Sequence, residues 1–348
     1  MYGQRGLFLR FSVVLLPGDV ANMPETIDIP GKLQAPSAAE FLQALQATTA
    51  DEVVLNFRPL TFAQPAGVMT SAMGIRAWAR GLRNTGRTFR CEYEAIEPSA
   101  QHYLENLGYF AFVQDGYSGI NRPGNRGQFL PLTRILREDL EPRDGESMQD
   151  RIEERSEELA QVLCDADVSD EAVQQLRYCF RELIRNAFEH ARVEAVYLMA
   201  QRYAKANEAE IAIGDLGCGI HATLREARNL PDARDAILAA LQPGISRFTE
   251  HNRGEHGNSG YGLWVTSEFC RLEGRFHLAT SNELLSIHDH HTSFTPIPLQ
   301  STVVSVRLNT LRARGWATTL DTIIARGEAI AAQNGGLSAS SASKRVRL

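Results

Sequence analysis

The sequence predicts an α+β protein made of two units, a small N-terminal α/β unit and a larger C-terminal one. The chain has 348 residues, of which 43% are hydrophobic, a length typical of about two domains. Across residues 1–115, and clearly from residue 25 onward, short β-branched runs alternate with runs of helical period, which indicates an α/β unit. A connection rich in Gly, Pro and Arg, residues 116–150, in which one strand is left open, separates it from further helices and strands at 151–312.

Composition excludes several classes of partner and site. The formal net charge is -6, so no global basic field attracts nucleic acid or an anionic membrane, and we expect neither as a partner. The 5 cysteines are scattered without a CxxC pair. That pattern is typical neither of a disulfide framework nor of a zinc site, and it favours a reducing, cytoplasmic location.

The amino-terminal stretch at residues 6–20 is apolar. It is shorter than the roughly 18 residues that a spanning helix needs, and its β-branched content favours a strand. Arg5 and Arg10 before a short apolar run leave a signal peptide open as the alternative. No transmembrane segment is predicted.

Helices and strands alternate in the prediction for the N-terminal unit. Ser37 and Glu40 have the spacing of a capping box, so we expect a helix with Ser37 as its cap. The elements predicted after it are a strand at 51–57, a helix at 68–86, a strand at 88–95 and a helix at 99–108.

Residues 147–164 have the pattern of an amphipathic helix, with Ile152, Leu159 and Leu163 on one stripe. We expect it to pack on the C-terminal unit, and a dimerisation helix is the alternative. A homodimer through this helix or through the N-terminal unit is compatible with the sequence. The segment 313–348 is predicted to be a helix followed by a disordered tail, because its end has few apolar residues.

A long amphipathic helix is predicted to start near Ser169 or Asp170. Glu182, Asn186 and His190 recur along it every four residues, and positions four apart stack on one face. An acid, an amide and an imidazole on one line of a buried helix require a polar feature for them to face.

Two glycine-rich turns follow this helix. The first ends a strand of alternating apolar residues and reads Asp215-x-Gly217-x-Gly219, where glycines permit positive φ and let a ligand approach the backbone. The second contains Gly260 and Gly262 and opens directly into a helix, where free backbone N–H groups and the helix dipole favour an anion. Either turn alone is weak evidence for a binding site. Together, and in this order after the helix, the two turns predict one shared site.

The order of these motifs resembles the N, G1 and G2 boxes of the GHKL superfamily, the ATP-binding fold shared by gyrase, Hsp90, histidine kinases, MutL and the anti-sigma serine kinases. The resemblance covers residues 150–310 and implies a two-layer α/β sandwich, the Bergerat fold, with ATP and Mg²⁺ as ligands. The wording "RELIRNAFEHA" resembles the anti-sigma serine kinase branch most closely.

The resemblance also implies roles for single residues. Asn186 would hold Mg²⁺ through its carbonyl oxygen, a hard ligand for a hard cation. Glu182 would be the catalytic residue that polarises the water or hydroxyl attacking the γ-phosphate. Asp215 would accept the adenine amino group and so select A over G. Thr302 lies where the family keeps a Thr near the adenine, although Ser301 replaces the usual Gly before it.

The glycines of both turns are assigned to the nucleotide as well. Gly217 and Gly219 would let the backbone pass close to it, whereas Gly260 and Gly262, followed by Leu263, would supply amides to the phosphates.

The resemblance implies that residues 221–259 form the ATP lid, the segment that these enzymes close over the nucleotide, and the polar, Gly-rich composition of its later part agrees. Arg247 or Arg253 would then reach a phosphate, with a solvated loop charge as the alternative for each. His190 is assigned a supporting role at the pocket rim. The run His288–His291 offers metal-ligand types, but adjacent histidines in one loop cannot readily converge on one ion.

The N-terminal unit resembles a STAS domain, the fold of anti-sigma-factor antagonists, in its order of strands and helices. Phosphorylatable members carry a serine in the loop before the second helix. The matching positions here, Gln64–Gly67, have no such acceptor, so the resemblance implies an interaction or sensing domain without phosphorylation of this loop.

These features together predict a Mg-ATP-binding regulatory protein with slow ATPase or protein serine/threonine kinase activity towards a protein partner. A sensor histidine kinase is disfavoured because no phosphoacceptor histidine is evident, and His102 lies in the preceding α/β unit. The gyrase, MutL and Hsp90 types are disfavoured because they continue into a transducer domain. The alternative hypothesis is a nucleotide-gated interaction module with negligible catalysis.

Overall fold

A computed structural model describes residues 23–82, 85–93, 96–115, 127–143, 145–167, 169–191, 193–225, 227–246, 259–340 and 344. The apolar stretch at residues 6–20, with Arg5 and Arg10, lies outside these ranges, so the strand and signal-peptide hypotheses for it stay predictions. Within the described ranges, no helix combines the length and the hydropathy that crossing a bilayer requires.

The N-terminal unit is a small α/β layer. Its elements are β1 (Glu25–Asp28), β2 (Lys32–Leu33), α1 (Ala35–Ala47), β3 (Glu52–Asn56), β4 (Phe62–Ala63), α2 (Pro65–Leu82), β5 (Thr88–Glu92), α3 (Pro98–Leu107) and α4 (Tyr109–Asp115). Strands β1, β3 and β5 form a parallel sheet in that order, and β2 pairs with β4. Parallel neighbours joined through helices are the arrangement that the alternating pattern predicted.

Helix α1 begins earlier than predicted. Gln34 is its N-cap, and Ser37 is the third helical residue, whose Oγ accepts a hydrogen bond from the Gln34 N–H at 2.9 Å. Pro36 fits this first turn because the first backbone N–H groups of a helix need no intrahelical acceptor. The prediction of Ser37 as the cap was therefore wrong.

The C-terminal unit is built on one seven-stranded antiparallel sheet. Its elements are β6 (Phe129–Leu136), α5 (Met148–Cys164), α6 (Glu171–His190), β7 (Ala195–Tyr203), β8 (Glu208–Gly214), α7 (Gly219–Leu224), α8 (Ala233–Ala240), α9 (Gly262–Glu273), β9 (Gly274–Thr280), β10 (Glu283–His288), β11 (His291–Pro296), β12 (Val303–Asn309) and α10 (Trp316–Asn334). The strand order is β11-β10-β9-β12-β8-β7-β6. Strand β6 lies inside the segment that we expected to be a linker, yet it is hydrogen-bonded to β7 as the edge of this sheet.

Helices α5 and α6 cover one face of the sheet. Asp170 caps α6, since its Oδ1 accepts hydrogen bonds from the N–H groups of Ala172 at 2.8 Å and Val173 at 3.4 Å. The expected stripe of α5 is buried in the same core as α6, which confirms that this helix packs on the C-terminal unit.

The N-terminal unit covers the opposite face of the sheet. Met69 and Met73 of α2 approach Gly214 of β8 so closely that a Cβ there would lie 2.9 Å from Met73 Cγ and 3.3 Å from Met69 Sδ. Met199 of β7 and Val303 of β12 belong to the same buried apolar cluster as α2. The central strands of the sheet are therefore buried on both faces, and the core on this second face is shared by the two units.

A buried acid joins the units at the start of α2. Glu210 of β8 accepts a hydrogen bond from the N–H of Ala66 at 2.9 Å, and from the hydroxyls of Ser305 and Tyr203 at 3.3 Å each. Its burial raises the pKa of this carboxyl above its usual range. The loop Gln64–Gly67, which matches the acceptor loop of STAS domains, thus lies at the contact between the units.

Part of the C-terminal tail is also placed on the C-terminal unit. The N–H of Leu337 donates to the carbonyl of Gly244 at 3.0 Å, and the Oγ atoms of Ser340 and Ser259 lie 3.4 Å apart. Residues 335–340 therefore contact Gly244 within the predicted lid and Ser259 at its end, in contrast to the expected disordered tail.

Candidate functional site

A pocket opens between α6, the end of β8 and the start of α9. It brings together most of the residues that the motifs predicted, although they are spread over more than one hundred positions of the chain. The predicted residues that line it are Asn186, His190, Asp215, Gly219, Gly260, Gly262, Leu263 and Thr302. Apolar side chains, among them Leu183, Ile213 and Val304, form much of the remaining wall.

Asp215 lies directly after β8 and is only 3% exposed. Its Oδ1 accepts the Gly217 N–H at 2.8 Å, and its own N–H donates to the carbonyl of Thr302 at 2.9 Å. Burial raises the pKa of the Asp215 carboxyl to about 6, although backbone hydrogen bonds involving Gly217 and Thr302 act in the opposite direction. A carboxyl so placed is an oriented acceptor at the base of a largely apolar pocket.

Hydroxyl groups lie beside this acid. Thr302 Oγ1 is 3.2 Å from Thr280 Oγ1, which accepts the N–H of Ile220 at the start of α7 at 3.0 Å. The sequence did not single out Thr280. Its signal was a polar residue that ends a strand after Leu278 and Ala279.

Residues 171–310 match the protein family described as histidine kinase-, DNA gyrase B- and HSP90-like ATPases. This part of the chain is a GHKL ATPase domain. No curated protein matches the chain. The match runs from α6 to the end of β12, so that β6, α5 and α10 are additions to the matched region. Membership supports ATP binding by the GHKL domain and a regulatory function that depends on it.

The glycines of the GHKL domain are required by contacts within the protein. A Cβ at Gly217 would lie 2.5 Å from the carbonyl oxygen of Ala191 at the end of α6, and Gly217 itself is absent from the residues lining the pocket. Gly219 and Gly260 have φ of +80° and +70°, and a Cβ at Gly260 would clash with the backbone of Ile245. These glycines let separate segments close around the pocket.

Glu182, the predicted catalytic residue, is 0% exposed and is not among the residues that line the pocket. Its Oε1 pairs with Arg181 Nη2 at 2.8 Å, and its Oε2 pairs with Arg185 Nη2 at 2.8 Å. Gly262 packs directly on the carboxylate, and a Cβ there would clash with Oε2. Both oxygens of Glu182 are thus engaged by arginines behind the pocket wall.

The arginines extend this contact to α5. Arg181 Nη1 lies 2.8 Å from Glu153 Oε1, and Arg177 pairs with Glu153 at 3.2 Å and with Glu157 at 2.7 Å. Sequence reasoning missed this buried network, although the spacing of Arg177, Arg181 and Arg185 every four residues on α6 was a usable signal.

The described part of the predicted lid contributes apolar walls. Leu224, Ala240 and Ile245 from this segment line the pocket. Arg247 and Arg253 lie outside the described residues, so their assignment to a phosphate stays a prediction. Among the described residues that line the pocket there is no lysine or arginine.

The histidine run lies at the β10–β11 turn, where Asp289 and His290 adopt positive φ. In the described part of the chain, no group of three or more His, Cys, Asp or Glu side chains is arranged to hold a metal ion. None of the pocket residues named above belongs to β10 or β11.

Proposed function

We propose that this protein is a Mg-ATP-binding regulatory protein whose GHKL domain changes state with the bound nucleotide and turns it over slowly. One observation carries the proposal: a single pocket combines Asn186, the buried acceptor Asp215 and the glycine turn at the start of α9. These are the three kinds of group that a nucleotide with its cation requires, namely a hard ligand, a base-recognising acid and an anion-binding helix start.

Asp215 is the group that selects adenine in this proposal. An ionised carboxylate accepts the exocyclic N–H of adenine, whereas the carbonyl at the same position of guanine would face it with a second acceptor. The apolar wall around it suits the faces of a purine ring, and the phosphates then extend towards Gly260 and Gly262.

The residues present fit a magnesium ion held together with the nucleotide. Asn186 is half-buried at the pocket, and its carbonyl oxygen is the hard donor that Mg²⁺ prefers. One protein ligand is sufficient when water and phosphate oxygens supply the rest. When bound, the ion would neutralise phosphate charge, which the described lining does not do with a cationic side chain.

The proposal includes two alternative products of turnover: free phosphate, or a phosphorylated serine or threonine of a protein partner. In both cases Glu182 orients the attacking group. The burial of Glu182 and its two ion pairs favour a long-lived ATP state. A partner would then read the nucleotide through the lid and the surfaces that it orders.

Thermal-shift measurements with Mg²⁺ and ATP, ADP or GTP test the binding step. ATP and ADP should raise the Tm, because a ligand at one hundred times its Kd stabilises the native state by about 2.7 kcal/mol. GTP at the same concentration should have little effect. Equal shifts with ATP and GTP would refute the role of Asp215, and no shift with any nucleotide would refute the proposed function.

Incubation with γ-labelled ATP and a lysate separates the outcomes of turnover. A labelled protein supports kinase activity, free labelled phosphate supports ATPase activity, and neither supports the nucleotide-gated module. The variant Glu182→Gln, which keeps the size of the side chain, should lose turnover by about 100-fold and still bind ATP. Turnover unchanged in this variant would remove Glu182 from the mechanism.

A further inference from the structure

We propose that Arg185 is a positioning residue that holds Glu182 away from the nucleotide and so restrains ATP turnover. The inference rests on the proposed function, because it concerns the same pocket. Its basis is the contact between the Arg185 guanidinium and the one carboxylate oxygen of Glu182 that lies against the pocket wall.

The two oxygens of Glu182 differ in their surroundings. Oε1 faces Arg181, whose Nε and Nη2 lie at 3.0 Å and 2.8 Å. Oε2 faces Arg185 Nη2 at 2.8 Å and is the oxygen that packs against Gly262, a residue of the pocket lining. Arg185 therefore donates a hydrogen bond to the carboxylate oxygen of Glu182 that lies against Gly262 of the pocket lining.

Arg181 and Arg177 have a different, structural role. Arg181 bonds to Glu153 of α5 as well as to Glu182, and Arg177 bonds to Glu153 and to Glu157. Breaking either contact would leave a charge of the α5–α6 interface buried without its partner. These two arginines tie the helices together.

Arg185 is less completely held. It is 1% exposed, yet within the described residues its Nε and Nη1 have no hydrogen-bond acceptor, and its nearest other acid, Glu189, lies 3.7 Å from Nε. Unused donors in a buried guanidinium are unfavourable, so the Glu182 contact is the main reason for its present position. Such a side chain can change position at a lower free-energy cost than Arg181.

Restraint follows from the chemistry of hydrolysis. A water oxygen bonds to the γ-phosphorus, the bond from that phosphorus to the bridging oxygen breaks, and ADP leaves with the electron pair. Glu182 Oε2 accepts the water proton and later releases it to solvent. The Arg185 guanidinium lowers the basicity of Oε2 and takes one of its acceptor sites, so turnover proceeds mainly in the molecules in which this contact is broken.

The variant Arg185→Met tests the proposal, because methionine fills similar space without a charge. Phosphate release by the full chain should rise at least about tenfold in kcat, a part of the 10²–10⁴ that a positioned base supplies. The ATP concentration that gives half of the maximal thermal shift should remain within about twofold of its value in the unchanged protein. Arg177→Met, which removes an equally buried arginine of the same network that does not contact Glu182, should give no rise in kcat.

Two further variants distinguish positioning from a structural effect. The double variant Arg185→Met with Glu182→Gln should not show the increase in kcat of Arg185→Met. Arg185→Lys, which keeps the positive charge and should disturb folding less, should show a smaller increase in kcat. No rise in either folded Arg185 variant, with ATP still raising the Tm, would overturn the restraint. Failure of ATP to raise the Tm of the unchanged protein would instead overturn the proposed function.

Discussion

At the residue scale, the burial of the Asp215 carboxyl opposes the ionised form, which is the form proposed to accept the adenine amino group. Its pKa is raised to about 6, because the folded chain removes it from water and supplies few compensating donors. An adenine amino group would supply the missing donor. Without nucleotide, the protein is therefore destabilised by the charge that we propose to recognise adenine, as is expected where stability and binding compete.

This conflict predicts the effect of Asp215→Asn on stability. The folded pKa lies above the unfolded one, so the contribution of Asp215 to stability is fully present below about pH 4 and is lost as the pH rises through about 6. Without nucleotide, the variant should be more stable than the unchanged protein by about 3 kcal/mol at pH 8 and nearly equally stable near pH 4. Denaturant unfolding at both pH values measures this difference.

The same substitution should remove the ATP-dependent rise in Tm. ATP binding by the unchanged protein should also weaken as the pH falls from 7 to 5, since Asp215 becomes protonated. The variant controls for protonation of the phosphates, which affects both proteins. A variant that is less stable at pH 8, or that still prefers ATP over GTP, would contradict this account.

At the scale of elements, the start of α9 packs closely against the backbone of one segment and the carboxylate of another. Gly262 contacts Glu182 of α6 with no room for a side chain, and Gly260 contacts the backbone of Ile245 in the predicted lid. Helix α9 can therefore carry its N–H groups to the pocket only because both positions lack a Cβ.

Gly262→Ala should accordingly destabilise the protein by about 1–3 kcal/mol and weaken ATP binding, since α9 or Glu182 must move. A matched control is Gly81→Ala in α2, where nothing lies within 4 Å of the added Cβ. The control should stabilise by about 0.5 kcal/mol through helix propensity alone. Denaturant unfolding and the ATP thermal shift measure both, and a Gly262 variant that behaves like the control would refute this packing.

At the scale of the whole molecule, the N-terminal unit is the second cover of the ATPase sheet. Strand β8 presents Ile213 to the pocket, whereas Glu210, Ala212 and Gly214 face α2 on the other side. No layer separates the N-terminal unit from the strands that carry the nucleotide residues. The two units should therefore unfold in one transition, because side chains of the ATPase sheet, among them Ala212 and Val303, complete the core of the N-terminal unit.

Met73→Ala tests this shared core. Met73 is fully buried against Gly214, so its truncation should cost about 2–4 kcal/mol and weaken ATP binding through β8. Met23→Ala is the control, since Met23 is 66% exposed and should change neither. Calorimetry measures the transitions, and two separate transitions in the unchanged protein, or equal effects of both variants, would show that the units fold independently.

Much of the site was predictable because its residues act within short segments. The cap at Asp170, the polar line on α6 and the two glycine turns are each visible in a few consecutive residues. The errors arise where the pattern is ambiguous or the contact is remote. Ser37 failed as a cap because Pro36 extends the first turn. A strand was left open within the connection, but its place at the edge of the ATPase sheet was not predicted, because the pairing with β7 is a contact between segments far apart in the chain.

The ATPase domain and the order of its motifs were predictable from the residues alone, because spacing along a helix or around a turn sets which groups share a face. The contact of Glu182 with Arg185 rather than with the pocket, and the position of α2 behind β8, became evident from the folded chain. Both outcomes depend on which side chains meet between helices and strands far apart in the chain. Residues one turn apart on α6, Glu182 and Asn186, thus differ in whether they reach the pocket.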